Sequence, residues 1–144
     1  MDDAVSPDEI ILRRIPPTKD GGPQFKQRLP DGSWRATSFS LMPRSGEQYL
    51  SWTRLAITSP RELLELLRNQ GIAPEGWDVC RLLVADARAL GFSLSPDPTV
   101  EDQGHTLMEG AFEIRNRVSQ LAKRTRILSP MELETLKAGD ALQS

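Results

Sequence analysis

The side chains best able to do chemistry in this chain lie in the segment DPTVEDQGHTLMEG, residues 97–110. The only histidine, His105, shares it with Asp97, Glu101 and Asp102. An imidazole among carboxylates offers two chemistries. One is general acid–base catalysis, with His105 and Asp102 as the candidate pair. The other is ligation of a divalent ion such as Mn²⁺ or Zn²⁺ by Asp97, Asp102 and His105. The spacing limits both, because it matches neither H-E-x-x-H nor an EF-hand loop. A zinc site with one histidine would also depend on carboxylates or on Cys80. The structural alternative is preferred: Asp97 and Pro98 make a turn, the acids are solvated, and His105 satisfies a backbone group where a strand begins. No cofactor is expected. A histidine-assisted nucleophile meets a similar limit, since Cys80 sits in the apolar VCRLLV, the setting of a small buried hydrophobe, and no G-x-S-x-G elbow is present.

Three further groups could contact a ligand or partner. Arg13 and Arg14 are neighbours on an expected strand, so at most one points inward, where it needs an anionic partner; both are candidate ligand-binding residues for phosphate. Together with TSFS (37–40), they resemble the early-strand arginine and serine-bearing strand with which ADP-ribosyltransferase-like folds hold a dinucleotide. The later glutamate motif of such enzymes is not placed in this chain. Tyr49, Trp52 and Arg54 in QYLSWTRL are candidate partner-binding residues, because tyrosine, tryptophan and arginine dominate interface hot spots; core packing is the preferred alternative. RNRVSQLAKRTR (115–126) places Arg115, Lys123, Arg124 and Arg126 on an expected helix, a candidate face for nucleic acid. No stacking aromatics are interleaved with it, and the formal net charge of −2 gives the whole molecule no attraction to polyanions.

The elements that must position these residues follow from periodicity and punctuation. EIILRRI (9–15) reads as a strand stopped by Pro16-Pro17. Residues 16–33 read as a long loop with a turn at Pro30-Asp31-Gly32. WRATSFSL (34–41) alternates as a half-buried strand, and EQYLSWTRLAI (47–57) reads as extended. A helix over 60–70 is marked by Ser59 as N-cap, Pro60 at N1, Glu62 completing a capping box and Gly71 after its end. WDVCRLLV (77–84) reads as a buried central strand, ADARALG (85–91) as a helical turn, and FSLS (92–95) and HTLMEG (105–110) as strands. A basic helix is expected near 113–126. A second capping box, Ser129 to Glu132, opens a short C-terminal helix.

The chain's 144 residues suit one domain, and 38% hydrophobic with 26% charged residues is the balance of a folded protein. One cysteine precludes an internal disulfide, no signal-like segment opens the chain, and no apolar run approaches the ~20 residues of a membrane span. The expected location is the cytoplasm, away from membranes. The expected fold is α+β: a flexible acidic N-terminus (1–8), a single domain over 9–128 with a mixed or antiparallel sheet flanked by two to three helices, and a short C-terminal helix and tail (129–144).

ILRRIPP (11–17), with LGFSLSPDPTVEDQGHTLMEG (90–110), resembles a group of small uncharacterised bacterial proteins that carry an arginine-bearing first strand and a D-P-x-x-x-D-x-x-H-like element. The resemblance spans residues 10–128 and implies a bacterial origin, with Arg13, Asp97, Pro98, Asp102 and His105 as the positions to watch; it implies no activity. Without a complete catalytic set, the expected function is a non-catalytic binding or adaptor protein acting through a protein partner, an accessory component of a bacterial multi-protein system. The alternatives are a small enzyme or toxin-like domain using His105, nearby carboxylates and an arginine on a phosphate-containing ligand, and nucleic-acid binding through the basic helix.

Overall fold

Every residue of Ile10–Ile15 except the two arginines is buried. A strand apolar on both faces belongs inside a sheet covered on both sides, and this one is central to the structure, a computed structural model that describes residues 4–141. Among the described residues the strands are Ile10–Ile15 (β1), Lys26–Arg28 (β2), Trp34–Ala36 (β3), Tyr49–Arg54 (β4), Asp78–Leu83 (β5), Ser93–Pro96 (β6), His105–Glu109 (β7) and Arg126–Ile127 (β8). The helices are Pro60–Asn69 (α1), Val84–Ala89 (α2), Arg115–Lys123 (α3) and Pro130–Thr135 (α4), with a 3₁₀ turn at Ser38–Leu41. Six strands form one antiparallel sheet in the order β6-β7-β4-β1-β5-β8, while β2 and β3 form a separate hairpin. This is a single α+β domain.

Alternation divides the sheet's residues between two cores. Ile11, Ile15, Trp52, Cys80, Leu82 and Met108 share one with Ala87 of α2 and with Val118 and Leu121 of α3. Ile10, Leu12 and Val79 share the other with Leu63 of α1 and Leu128, and Leu133 and Leu136 pack against it. α1 starts where the caps require: the Ser59 hydroxyl accepts from the Glu62 amide while the Glu62 carboxylate accepts from the Ser59 amide. Both α1 and α4 gather over the β1 side of their face. On the β4 and β7 side of that face, Tyr49, Ser51, His105 and Leu107 stay at least partly open to solvent.

Several expectations are corrected. Residues 1–3 of the expected flexible N-terminus lie outside the described residues, but residues 4–8 are anchored. Val5 is 2% exposed, Arg88 donates to its carbonyl, and the Ala85 amide donates to the Pro7 carbonyl. The 16–33 loop contains β2, because Lys26–Arg28 pairs with Trp34–Ala36. The strand expected over 34–41 ends at Ala36, and TSFS enters the 3₁₀ turn instead. The basic helix stops at Lys123, where Thr125 turns inward: its hydroxyl donates to the Ala122 carbonyl and accepts from the Ala36 amide. Arg126 consequently sits on an edge strand, not on the helix.

Candidate functional site

β1 and β4 pair at Ile11↔Arg54 and Leu12↔Thr53 and then part. Arg13 fills the parting: its Nε donates to the Ser40 carbonyl at 3.1 Å and its Nη1 to the Ser51 carbonyl at 2.8 Å. A side chain here supplies donors that a continued ladder would have supplied. Burial lowers the Arg13 guanidinium to about 10; Cys80 opposes the shift, and nearby Arg14 and Arg44 add to it. Burial conversely pushes the Cys80 thiol up to about 12, which keeps it a neutral core group at physiological pH. Arg14 points to the other face of the sheet, where its Nη1 reaches the Leu63 carbonyl at only 3.5 Å. Burial lowers its pKa too, and Asp102 partly offsets this.

Where the strands part, a cleft of about 710 Å³ opens, within the range of ligand sites. Leu63 and Leu66 of α1, with Gln70 just past its end, form one wall, and Tyr49, Ser51 and Thr53 of β4 the other. Arg13, Arg14, Met42, Arg44 and Glu47 also line it, as do Glu101, Asp102 and His105. The exposed side chains of Met42, Tyr49 and Ile72 give it an apolar rim.

The segment joining β6 to β7 is tied to itself and to the sheet. Asp102 is 6% exposed and accepts from the Thr53 hydroxyl at 2.6 Å, the Thr58 hydroxyl at 2.8 Å and the Gly104 amide at 3.1 Å. Both carboxylate oxygens are therefore occupied, which removes Asp102 as a catalytic partner of His105. Gly104 is required by close approach, since a Cβ there would meet the Thr58 hydroxyl at 2.8 Å and the Arg54 carbonyl at 3.1 Å. His105 Nδ1 lies 3.0 Å from both the carbonyl and the carboxylate of Asp97. Two acceptors on that nitrogen require it to carry the proton, so neutral His105 presents Nε2 as an acceptor. Such a nitrogen can accept a proton or a hydrogen bond from a ligand. The metal reading fails on the same geometry: Asp97, Asp102 and His105 do not converge, and among the described residues no group of three or more His, Cys, Asp or Glu could hold an ion.

The remaining candidates separate. Tyr49, 39% exposed, lines the cleft. Trp52 is 1% exposed and belongs to the core, with its Nε1 lacking a partner among the described residues, and Arg54 forms a two-pronged pair with Glu9, both bonds at 2.8 Å. Neither is an outward anchor. Arg115, Lys123, Arg124 and Arg126 are all exposed but are split between α3, its end and β8. Sequence reasoning missed Met42, Arg44 and Ile72. Only the Pro43–Gly46 turn signal marked that region, and a turn signal says nothing of what the turn faces. Comparison with known protein families, curated proteins and solved structures finds no match to this chain.

Proposed function

We propose that the chain is a non-catalytic binding domain that receives a segment of a protein partner in the cleft between α1 and β4. The observation that carries this reading is the uncovered half of one sheet face: α1 and α4 leave the Tyr49 side of it open, and the cleft there combines an apolar rim with the underused Arg14. Exposed aromatic and aliphatic side chains around a desolvated polar anchor are the composition of an interface hot spot. His105, fixed by Asp97, lines the same space. No nucleophile is bonded to it among the described residues, so binding is the role the cleft supports best.

The test is capture of a partner from the native host by the wild-type protein, by Tyr49→Ala with Ile72→Ser, and by Met131→Ser as an exposed control on α4. A partner retained by the wild type and the control but lost from the cleft variant is the expected result. Equal recovery by all three, or no stoichiometric partner, overturns the reading.

A further inference from the structure

We propose that Arg13, Arg14 and Arg44, which line one cleft, form a site for a phosphomonoester group presented by a phosphorylated side chain of the partner. This deepens the docking reading and rests on it, because it names the group that the partner brings.

Consecutive strand residues ordinarily serve opposite faces of a sheet. Arg13 and Arg14 do so here, but where β1 parts from β4 the sheet no longer separates them, and both line one cleft with Arg44 of the adjacent turn. Their donors are far from used up. Arg13 spends Nε and Nη1 on two carbonyls, and no hydrogen bond engages its Nη2 among the described residues. Arg14 has its single 3.5 Å contact, which leaves Nε and Nη2 without partners among the described residues. Among the described residues none of the three forms a salt bridge, whereas Arg54, Arg61 and Arg68 each do. The acids of the cleft form no ion pair with them among the described residues: Asp102 acts on Arg14 from a distance but is held by two hydroxyls and an amide, and Glu47 and Glu101 stand exposed. Among the described residues Arg14, Arg44 and the Cys80 thiol act electrostatically on Arg13, and none of these supplies a carboxylate, whereas Asp102 partly offsets the lowering of Arg14.

Guanidinium groups brought together with donors to spare and no ion-pair partner repel one another and favour an anion between them. A carboxylate brings one charge and two oxygens. A phosphomonoester brings nearly two charges and three terminal oxygens, which suits several guanidinium forks approaching from different sides. The rim of Met42, Tyr49 and Ile72 then seats the apolar neighbours of the phosphorylated residue.

Calorimetric titration tests this with inorganic phosphate, acetate, glucose 6-phosphate, and a phosphoserine peptide with apolar flanks beside its unphosphorylated form. Arg13 also closes the sheet, so Arg14→Gln and Arg44→Gln carry the test, each checked for an unchanged circular-dichroism spectrum and melting temperature. The expected result is saturable phosphate binding that acetate does not compete for, weakened about 10- to 100-fold in either variant, as loss of a charge-assisted hydrogen bond requires. The phosphopeptide should bind more tightly than inorganic phosphate, glucose 6-phosphate or the unphosphorylated peptide. No saturable phosphate binding, binding unchanged in both variants, or equal affinity of the two peptides overturns the proposal. Tighter binding of glucose 6-phosphate than of the phosphopeptide overturns the partner as source. If Tyr49-dependent partner capture persists without phosphate binding, this inference alone fails. If phosphate binds through Arg14 but no partner depends on the rim, the docking reading fails and the anion site stands.

Discussion

Asp102 holds its segment together through three donors from three places in the chain: Thr53, Thr58 and Gly104. Removing the carboxylate leaves buried donors without acceptors, each costing about 1–3 kcal/mol. Asp102→Ala should therefore lower unfolding free energy by about 2–4 kcal/mol, and Asp102→Asn by less, as measured by urea titration. Loss of under 0.5 kcal/mol, roughly the effect of an ordinary surface substitution, would show that the network contributes little. Cys80 yields a pH-dependent prediction. Its pKa rises from 9.0 to about 12 on folding, so the unfolded chain releases this proton first as pH increases. The stability it contributes is complete below pH 9 and is lost as pH climbs toward 12. Between pH 8 and about pH 10 the wild type should lose more stability than Cys80→Ala, with a slope difference approaching 1.4 kcal/mol per pH unit. Arg13 shifts the other way, to about 10 from 12.5, so its contribution grows above that window. Identical pH slopes for the two proteins would contradict the burial of the thiol.

At the scale of elements, α1 was the most legible part of the sequence. A capping box is a local contract between residues three apart, and Ser59, Pro60 and Glu62 state it without reference to the rest of the fold. Ser59→Ala should cost about 1 kcal/mol by chemical denaturation, and because α1 is a wall of the cleft, it should also weaken partner capture. The strands were legible as runs but not in their limits. The 34–41 alternation suggested a longer strand, yet only Trp34–Ala36 has a partner strand to bond with, and Ser38–Leu41 turns. In the same way the basic helix ended early, because the Thr125 hydroxyl, which donates back to the Ala122 carbonyl, accepts from the Ala36 amide, a donor within reach only when the β2–β3 hairpin is docked. β1 could be placed from its β-branched residues, but its separation from β4 has no local signature. That separation made the cleft.

For the whole molecule, the two cores are unequal in cover. One face of the sheet is closed by α2, α3 and the 3₁₀ turn, and the other is closed only over its β1 side. The N-terminal segment belongs to the closed side, where Val5 is packed and Pro7 and Glu9 bond to distant residues. A chain beginning at Glu9 should therefore be less stable by about 2 kcal/mol or more, from the lost apolar burial and hydrogen bonds. Calorimetric melting checks this, and an unchanged melting temperature would return residues 4–8 to the status of a frayed end. Because α1 and α4 leave Tyr49 and its neighbours uncovered, partner capture should respond to substitutions there and not to changes at Met131 on α4.

By itself the sequence determined the α+β class, the positions of most elements, the caps of α1 and α4, and the short list of reactive side chains, because these depend on residue type and on spacings of a few positions. It placed Asp97, Asp102 and His105 close together in the chain and could not say that the first and last would bond each other while the middle one turned away to Thr53 and Thr58. Nor could it say which arginine of the pair would be enclosed. Those outcomes depend on which strands become neighbours. Strand order sets which carbonyls lack a ladder partner, where a guanidinium is drawn inward and which half of a face stays open. These are relations between residues tens of positions apart, and only the tertiary structure decided them.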